Sequence, residues 1–123
     1  MSPNTTGTHS PQLDEQILLQ MATEAGGIEE LKNLVPLFLQ ETELLKTSLP
    51  QAVAKQDVAK MQIESHTLKS ISATFGALYL SHLARDMEMY CRENNYAEAA
   101  RLLEPILQNI SKTQSLLIQK IQF

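Results

Sequence analysis

Between residues 13 and 121 the apolar residues recur three and four positions apart in successive stretches, the spacing of helices that each bury one face. That pattern confines the chain to packed helices. From Pro11, Leu13, Ile17, Leu18 and Met21 form a short first stripe that Ala25-Gly26-Gly27 ends. Leu31, Val35, Phe38, Leu45, Leu49 and Ala52 line a long second helix over about residues 28–54. Pro36 and Pro50 each remove a backbone donor from it, so a bend or a break is expected at one or both. Lys55-Gln56-Asp57 reads as the turn out, with Asp57 capping a third helix that runs to about Phe75, where Gly76 supplies the stop. A fourth helix over 77–92 aligns Leu80, Leu83, Ala84, Met87 and Cys91 ahead of a Glu93-Asn94-Asn95 turn. A fifth begins near Tyr96 and carries Leu103, Ile106, Ile110, Leu117 and Ile121, with Pro105 a local objection.

Long helices joined by loops of a few residues pack as antiparallel neighbours. The expected fold is all-α, an antiparallel up-down-up-down four-helix bundle with a short N-terminal capping helix. At 123 residues this is one domain, over residues 11–123, behind a polar flexible tail over residues 1–10 that holds His9. Hydrophobic residues at 43% and charged residues at 20% are ordinary globular proportions, and four glycines with few aromatics suit helices rather than strands.

The net charge of −4, without a basic patch, argues against nucleic-acid binding. Cys91 is the only cysteine, so there is no internal disulfide, and no Cys/His pair has zinc-ligand spacing. We therefore expect no metal site and a cytoplasmic location. The N-terminus has no basic region followed by an apolar stretch, and no apolar run approaches the roughly 20 residues that span a bilayer, so no membrane association is expected.

The informative segment is 57–77, DVAKMQIESHTLKSISATFGA. At about 100° per residue, Val58, Met61, Ser65, Leu68, Ser72 and Phe75 share the core side. His66 points the other way, among Ala59, Gln62, Ile63, Lys69, Ser70 and Ala73. Small neighbours leave room for another protein to approach an imidazole, and Ile63 offers apolar area to bury. Lys69, one turn from His66, can offset charge on a phosphoryl group carried by the ring. A neutral imidazole is a competent nucleophile near physiological pH. Against this stands the plain reading, since an exposed histidine on a helix is ordinarily a solvated surface residue. His82, with no second ligand at i+4, reads as a surface or half-buried histidine. The methionines read as core filler, and the tyrosines lack the interleaved basic residues of a base-stacking surface.

His66-Thr67-Leu68-Lys69 followed by Ser72-Ala73-Thr74-Phe75-Gly76-Ala77 resembles the signature of the histidine-containing phosphotransfer domain family, H-x-L-K-G-x-S/A-x-x-x-G-A. The resemblance extends over roughly residues 12–120. Phe38 matches an aromatic of the family's second helix, and Leu80, Leu83 and Met87 match the helix after the motif. It implies the same antiparallel bundle, with His66 as the phosphorylated residue and Lys69 as the cation near the phosphate. Ala59, Gln62, Ile63, Ser70, Ala73 and Glu88 become the receiver-docking residues. Some family members reach back to the histidine with a polar side chain from the following helix, and Glu88 is the matching residue here, although it also reads as a solvated glutamate. Arg92, one turn further on, reads as a helix C-terminal cation. Ser70 departs from the family's glycine, which puts rate and specificity in doubt more than function.

The function so implied is phosphoryl transfer in a two-component phosphorelay. His66 takes the group from an aspartyl-phosphate receiver and passes it to another, the partners being receiver domains of response regulators and hybrid sensor histidine kinases. The chain is then a monomeric carrier with no cofactor of its own, the Mg²⁺ being the receiver's. It has no phosphate-binding loop, so no autonomous kinase activity is expected. A non-catalytic helical adaptor binding a receiver or kinase domain is the alternative. An enzyme with metal in the bundle core is disfavoured, because the inward positions carry almost no Glu, Asp or His.

Overall fold

The computed structural model describes residues 13–122, so the tail expected over residues 1–10 and the helix start expected at Pro11 lie outside the described residues. The described chain forms α1 (Glu15–Ala25), a 3₁₀ turn (Ile28–Glu30), α2 (Leu31–Ala54), α3 (Val58–Thr74), α4 (Leu78–Arg92), α5 (Tyr96–Arg101) and α6 (Leu103–Lys120). The four long helices α2, α3, α4 and α6 make the antiparallel bundle.

The reversals share one device. Lys55–Asp57, Phe75–Ala77 and Glu93–Asn95 each place a left-handed residue at the centre, with φ of 54° at Gln56, 77° at Gly76 and 57° at Asn94. In each, the amide after that residue reaches five back, from Asp57 to Ala52 (2.9 Å), Ala77 to Ser72 (2.8 Å) and Asn95 to Tyr90 (2.8 Å). These bonds satisfy carbonyls that a helix end leaves open, and they turn the chain back within three residues. Asp57 then caps the next helix by accepting from the Lys60 amide (3.1 Å), and Asn95 does the same for Glu98 (3.3 Å).

Gly76 has a second constraint. A Cβ built on it would lie 2.9 Å from the Asp14 carbonyl oxygen, and the Asp14 amide donates to the Gly76 carbonyl at 2.7 Å. Only glycine permits both the positive φ and this approach. The contact seats α1 over the α3–α4 turn, while Lys120 reaches Glu15 at 2.7 Å from the end of α6. As expected of a cap, α1 thus closes one end of the bundle, burying Leu13, Leu18 and Ala22.

The expected stripes line the core, with Ile17, Met21, Leu103 and Ile121 only half-buried at its edges. Leu31, Val35, Phe38, Leu45, Leu49 and Ala52 of α2 meet Met61 and Leu68 of α3, Leu80, Leu83, Ala84 and Met87 of α4, and Ile106, Ile110 and Leu117 of α6, all buried. Phe38 and Phe75 pack ring to ring at 5.2 Å.

Two expectations about helices are corrected. The break allowed for at Pro36 or Pro50 does not occur, for α2 is one helix across both. Val35 and Phe38 flank one proline and Leu49 and Ala52 the other, so tertiary burial carries the helix over its missing bonds. The single fifth helix is in fact two, parted at Leu102. Pro105 is the reason. Its absent N–H would have bonded the Arg101 carbonyl, and its ring crowds that same carbonyl, so α5 stops at Arg101. Within the first turn of α6 the proline costs nothing, since those amides have no helical partner anyway. The second helix also begins later than expected, with Ile28–Glu30 a 3₁₀ turn ahead of it.

No helix among the described residues is long and apolar enough to cross a membrane.

Candidate functional site

Along α3 the side chains divide as the spacing requires. Met61, Ser65, Leu68 and Ser72 are buried, whereas Ala59, Ile63, His66, Ser70 and Ala73 are exposed and Gln62 is half-buried. The small buried serines let α4 come close. Ser81 of α4 donates to the Lys69 carbonyl at 2.9 Å, pinning the two helices together one turn from His66.

Across that seam lies Glu88. It is almost sealed, at 2% exposure, yet three side chains converge on its carboxylate. His66 Nδ1 lies 2.7 Å from Oε2, Lys69 Nζ donates to Oε1 at 2.6 Å, and an Arg92 guanidinium nitrogen donates to Oε2 at 2.8 Å. Burial alone pushes the Glu88 carboxyl upward, but the hydrogen bonds from Lys69 and His66 and the charges of Lys69 and Arg92 outweigh it. The group is held below its ordinary value. Glu88 is therefore a carboxylate at neutral pH.

This settles the roles of the ring nitrogens. A carboxylate only accepts, so Nδ1 carries the proton. With Nδ1 turned to a buried oxygen and 57% of the side chain exposed, Nε2 is the nitrogen left for reaction at the surface. Its setting is a shallow cleft lined by Gln62, Ile63, His66, Thr67, Glu88 and Arg92. Ile63, 67% exposed, adds an apolar edge beside it.

The residues singled out from sequence are thus brought together, with one difference in kind. Ala59, Gln62, Ile63, Ser70 and Ala73 lie on or at the edge of the exposed face of α3, but Glu88 lies beneath it, buried at the floor of the cleft rather than on the face a visiting protein would meet. Its solvated reading is overturned. Lys69 is a half-buried partner of Glu88 rather than a free cation. Arg92 does more than end a helix, and its spacing of four from Glu88 was the available signal. Cys91 is buried alongside, its thiol pushed up by burial and then by the Glu88 charge, which makes it unreactive. His82 is exposed on α4.

Comparison with known proteins adds three findings. The family model of the Hpt domain matches residues 33–120. The phosphorelay protein LuxU of Vibrio vulnificus, in strains YJ016 and CMCP6 alike, is 26% identical over 103 residues, spanning 84% of this chain and 90% of LuxU. The crystal structure of histidine-containing phosphotransfer protein B (HptB) from Pseudomonas aeruginosa PAO1 superposes with a TM-score of 0.85 at 23% identity. It covers 92% of this chain and 96% of that one, and it establishes likeness of fold.

Proposed function

Since the chain belongs to the Hpt domain family, and is thus a histidine phosphotransfer protein of a phosphorelay, we propose that His66 is its phosphorylated residue, with Nε2 the atom that takes the phosphoryl group. The observation that carries this reading is the 2.7 Å bond from Nδ1 to a buried carboxylate on a ring that is otherwise open to solvent. The bond fixes the tautomer and the ring plane, so the Nε2 lone pair is oriented before a partner arrives.

The group comes from the aspartyl phosphate of one receiver domain and goes to the aspartate of another. Such partners belong to response regulators and hybrid sensor kinases. They bring the Mg²⁺ and the cations that stabilise the transferring phosphoryl group, while this chain brings the nucleophile and a face to dock against. Ala59, Gln62, Ile63, Ser70 and Ala73 form that face. Lys69, whose ammonium lies within the same charge cluster, is placed to balance phosphate charge once the ring is loaded. Ser70 is the smallest polar side chain able to stand there, and it keeps the approach open. The same reading makes the chain a monomeric carrier in the cytoplasm, without kinase activity of its own.

Incubation with a phosphorylated receiver tests the assignment. Acid-labile label is expected on the wild-type chain and none on His66→Gln. Label on that variant, or binding of the receiver with no phosphate exchanged in either direction, contradicts it.

A further inference from the structure

A long or aromatic side chain on a helix leans over the turn that precedes it, and for His66 that turn carries Gln62 and Ile63. We infer that Gln62 binds the phosphoryl group. Its side-chain amide donates a hydrogen bond to an oxygen of the phosphoryl group on Nε2 of His66, and so lengthens the time for which the loaded carrier keeps its phosphate between partners. This role rests on the carrier reading above and sets Gln62 apart from the rest of the docking face, which meets the visiting protein rather than the phosphate.

Gln62 precedes His66 by four residues, so the two stand one above the other on α3, their Cβ atoms about 5–6 Å apart. Both line the cleft of about 260 Å³ beside the ring, whereas Ser70, four residues along in the other direction, does not. Of the polar side chains that line this cleft, only Gln62 has no partner within the described residues. Glu88 accepts from Lys69 and Arg92, and the Arg92 guanidinium is drawn to it at 2.8 Å. The Thr67 hydroxyl spends its proton on the Ile63 carbonyl at 3.2 Å. The backbone carbonyl of Gln62 accepts from the Ser65 hydroxyl at 3.1 Å, but its side-chain amide bonds to none of the described residues and is open to water. A half-buried amide with both N–H groups unspent suits an acceptor that arrives with the phosphate, which brings three strongly accepting oxygens.

Such a bond favours the loaded state over its loss. In hydrolysis a water oxygen forms the new P–O bond, the P–N bond breaks with its electron pair returning to Nε2, and both protons of the water leave on the phosphate. The transition state is loose and metaphosphate-like, and its oxygens carry less negative charge than those of the bound phosphoryl group. A donor on those oxygens therefore holds the starting state more tightly than the transition state, and loss to water slows. A receiver brings Mg²⁺ and cations to the same oxygens, and these outweigh a neutral amide, so transfer to a partner proceeds.

The test uses the full chain, isotopically labelled for NMR and charged with phosphoramidate, so that no partner protein is present and docking plays no part. One side-chain amide proton of Gln62 is expected to move downfield and to exchange more slowly with water when His66 is phosphorylated, and to revert as the phosphate is lost. Gln62→Leu, which keeps the bulk and removes the donor, should lose phosphate about fivefold faster than wild type. Gln62→Glu, the same shape with no donor and a charge that repels the phosphate, should lose it faster still.

An amide that exchanges as fast after phosphorylation as before, or a Gln62→Leu lifetime equal to that of wild type, overturns the role of Gln62 and leaves the carrier reading intact. The second result, joined to slower transfer to a receiver, would leave Gln62 a docking residue alone. Failure of wild type to label on His66 overturns the carrier reading itself, and this role with it. If the variants do not fold, the amide of the wild-type chain decides between these outcomes by itself.

Discussion

Two seams of the bundle each bury a polar side chain, and they do so in opposite ways. Between α2 and α6, Thr42 is fully buried. Its hydroxyl donates to the Phe38 carbonyl of its own helix at 2.7 Å and accepts from Gln114 at 3.0 Å. That arrangement is neutral and nearly self-sufficient. Between α3 and α4, Glu88 is buried as a charge that its own helix satisfies only in part, through Arg92, and it depends on His66 and Lys69 from across the seam. A bundle needs no such group, because small apolar side chains would pack that seam at lower cost. The difference teaches that the α2–α6 network serves packing, whereas the α3–α4 carboxylate serves the exposed ring above it.

The comparison breaks most visibly if Glu88 loses its cations. Lys69→Ala with Arg92→Ala should lower unfolding stability in urea by about 3 kcal/mol. That is the low end for a broken buried pair, because Arg92 is 59% exposed and partly screened. A loss no larger than that of an ordinary surface pair would mean that Glu88 is not dependent on them.

The next effect concerns the turn that sets the α3–α4 seam. Gly76→Ala must accept a positive φ and a Cβ against the Asp14 carbonyl, so about 2 kcal/mol of destabilisation is expected, measured by thermal and urea unfolding.

Acid sharpens the contrast. Because the folded-state pKa of Glu88 is depressed, its stabilising contribution is complete above the ordinary value of 4.5 and is lost as pH falls below it towards the folded value. Unfolding stability should therefore drop on acidification through that window, and Glu88→Gln should flatten this part of the curve. Thr42 has no proton to gain, so Thr42→Val should leave the pH dependence unchanged. Its own cost should be the smallest of the set, about 1 kcal/mol or less, since Gln114 keeps Glu43 as a partner at 3.2 Å.

Much of this was legible in the chain itself, and the reasons are particular. The stripe Leu31, Val35, Phe38, Leu45, Leu49, Ala52 is regular because α2 buries one face and exposes the other, and in α3 the same regularity set His66 outside. Glu88 was half legible. Its register opposite His66 followed from the hairpin, but its burial did not, because α4 is covered on more than one side and buries Met87 and Glu88 in succession. No single-face periodicity reveals that. Gln56 and Asn94 at positive φ were hidden because neither needs glycine once the turn's hydrogen bonds are made. The parting of α5 from α6 was present in the position of Pro105, four residues after Arg101, and was outweighed by the apolar stripe that continues through it. The unbroken α2 shows the same competition decided the other way, with burial on both sides of each proline prevailing.

The account turns on which nitrogen of residue 66 reacts and which is held. Phosphorus and long-range nitrogen–proton NMR on the chain after transfer from a phosphorylated receiver reads both at once. The expected spectrum has phosphorus on Nε2 of His66 and a proton on Nδ1. Phosphorus on Nδ1, or on any other residue, would contradict it.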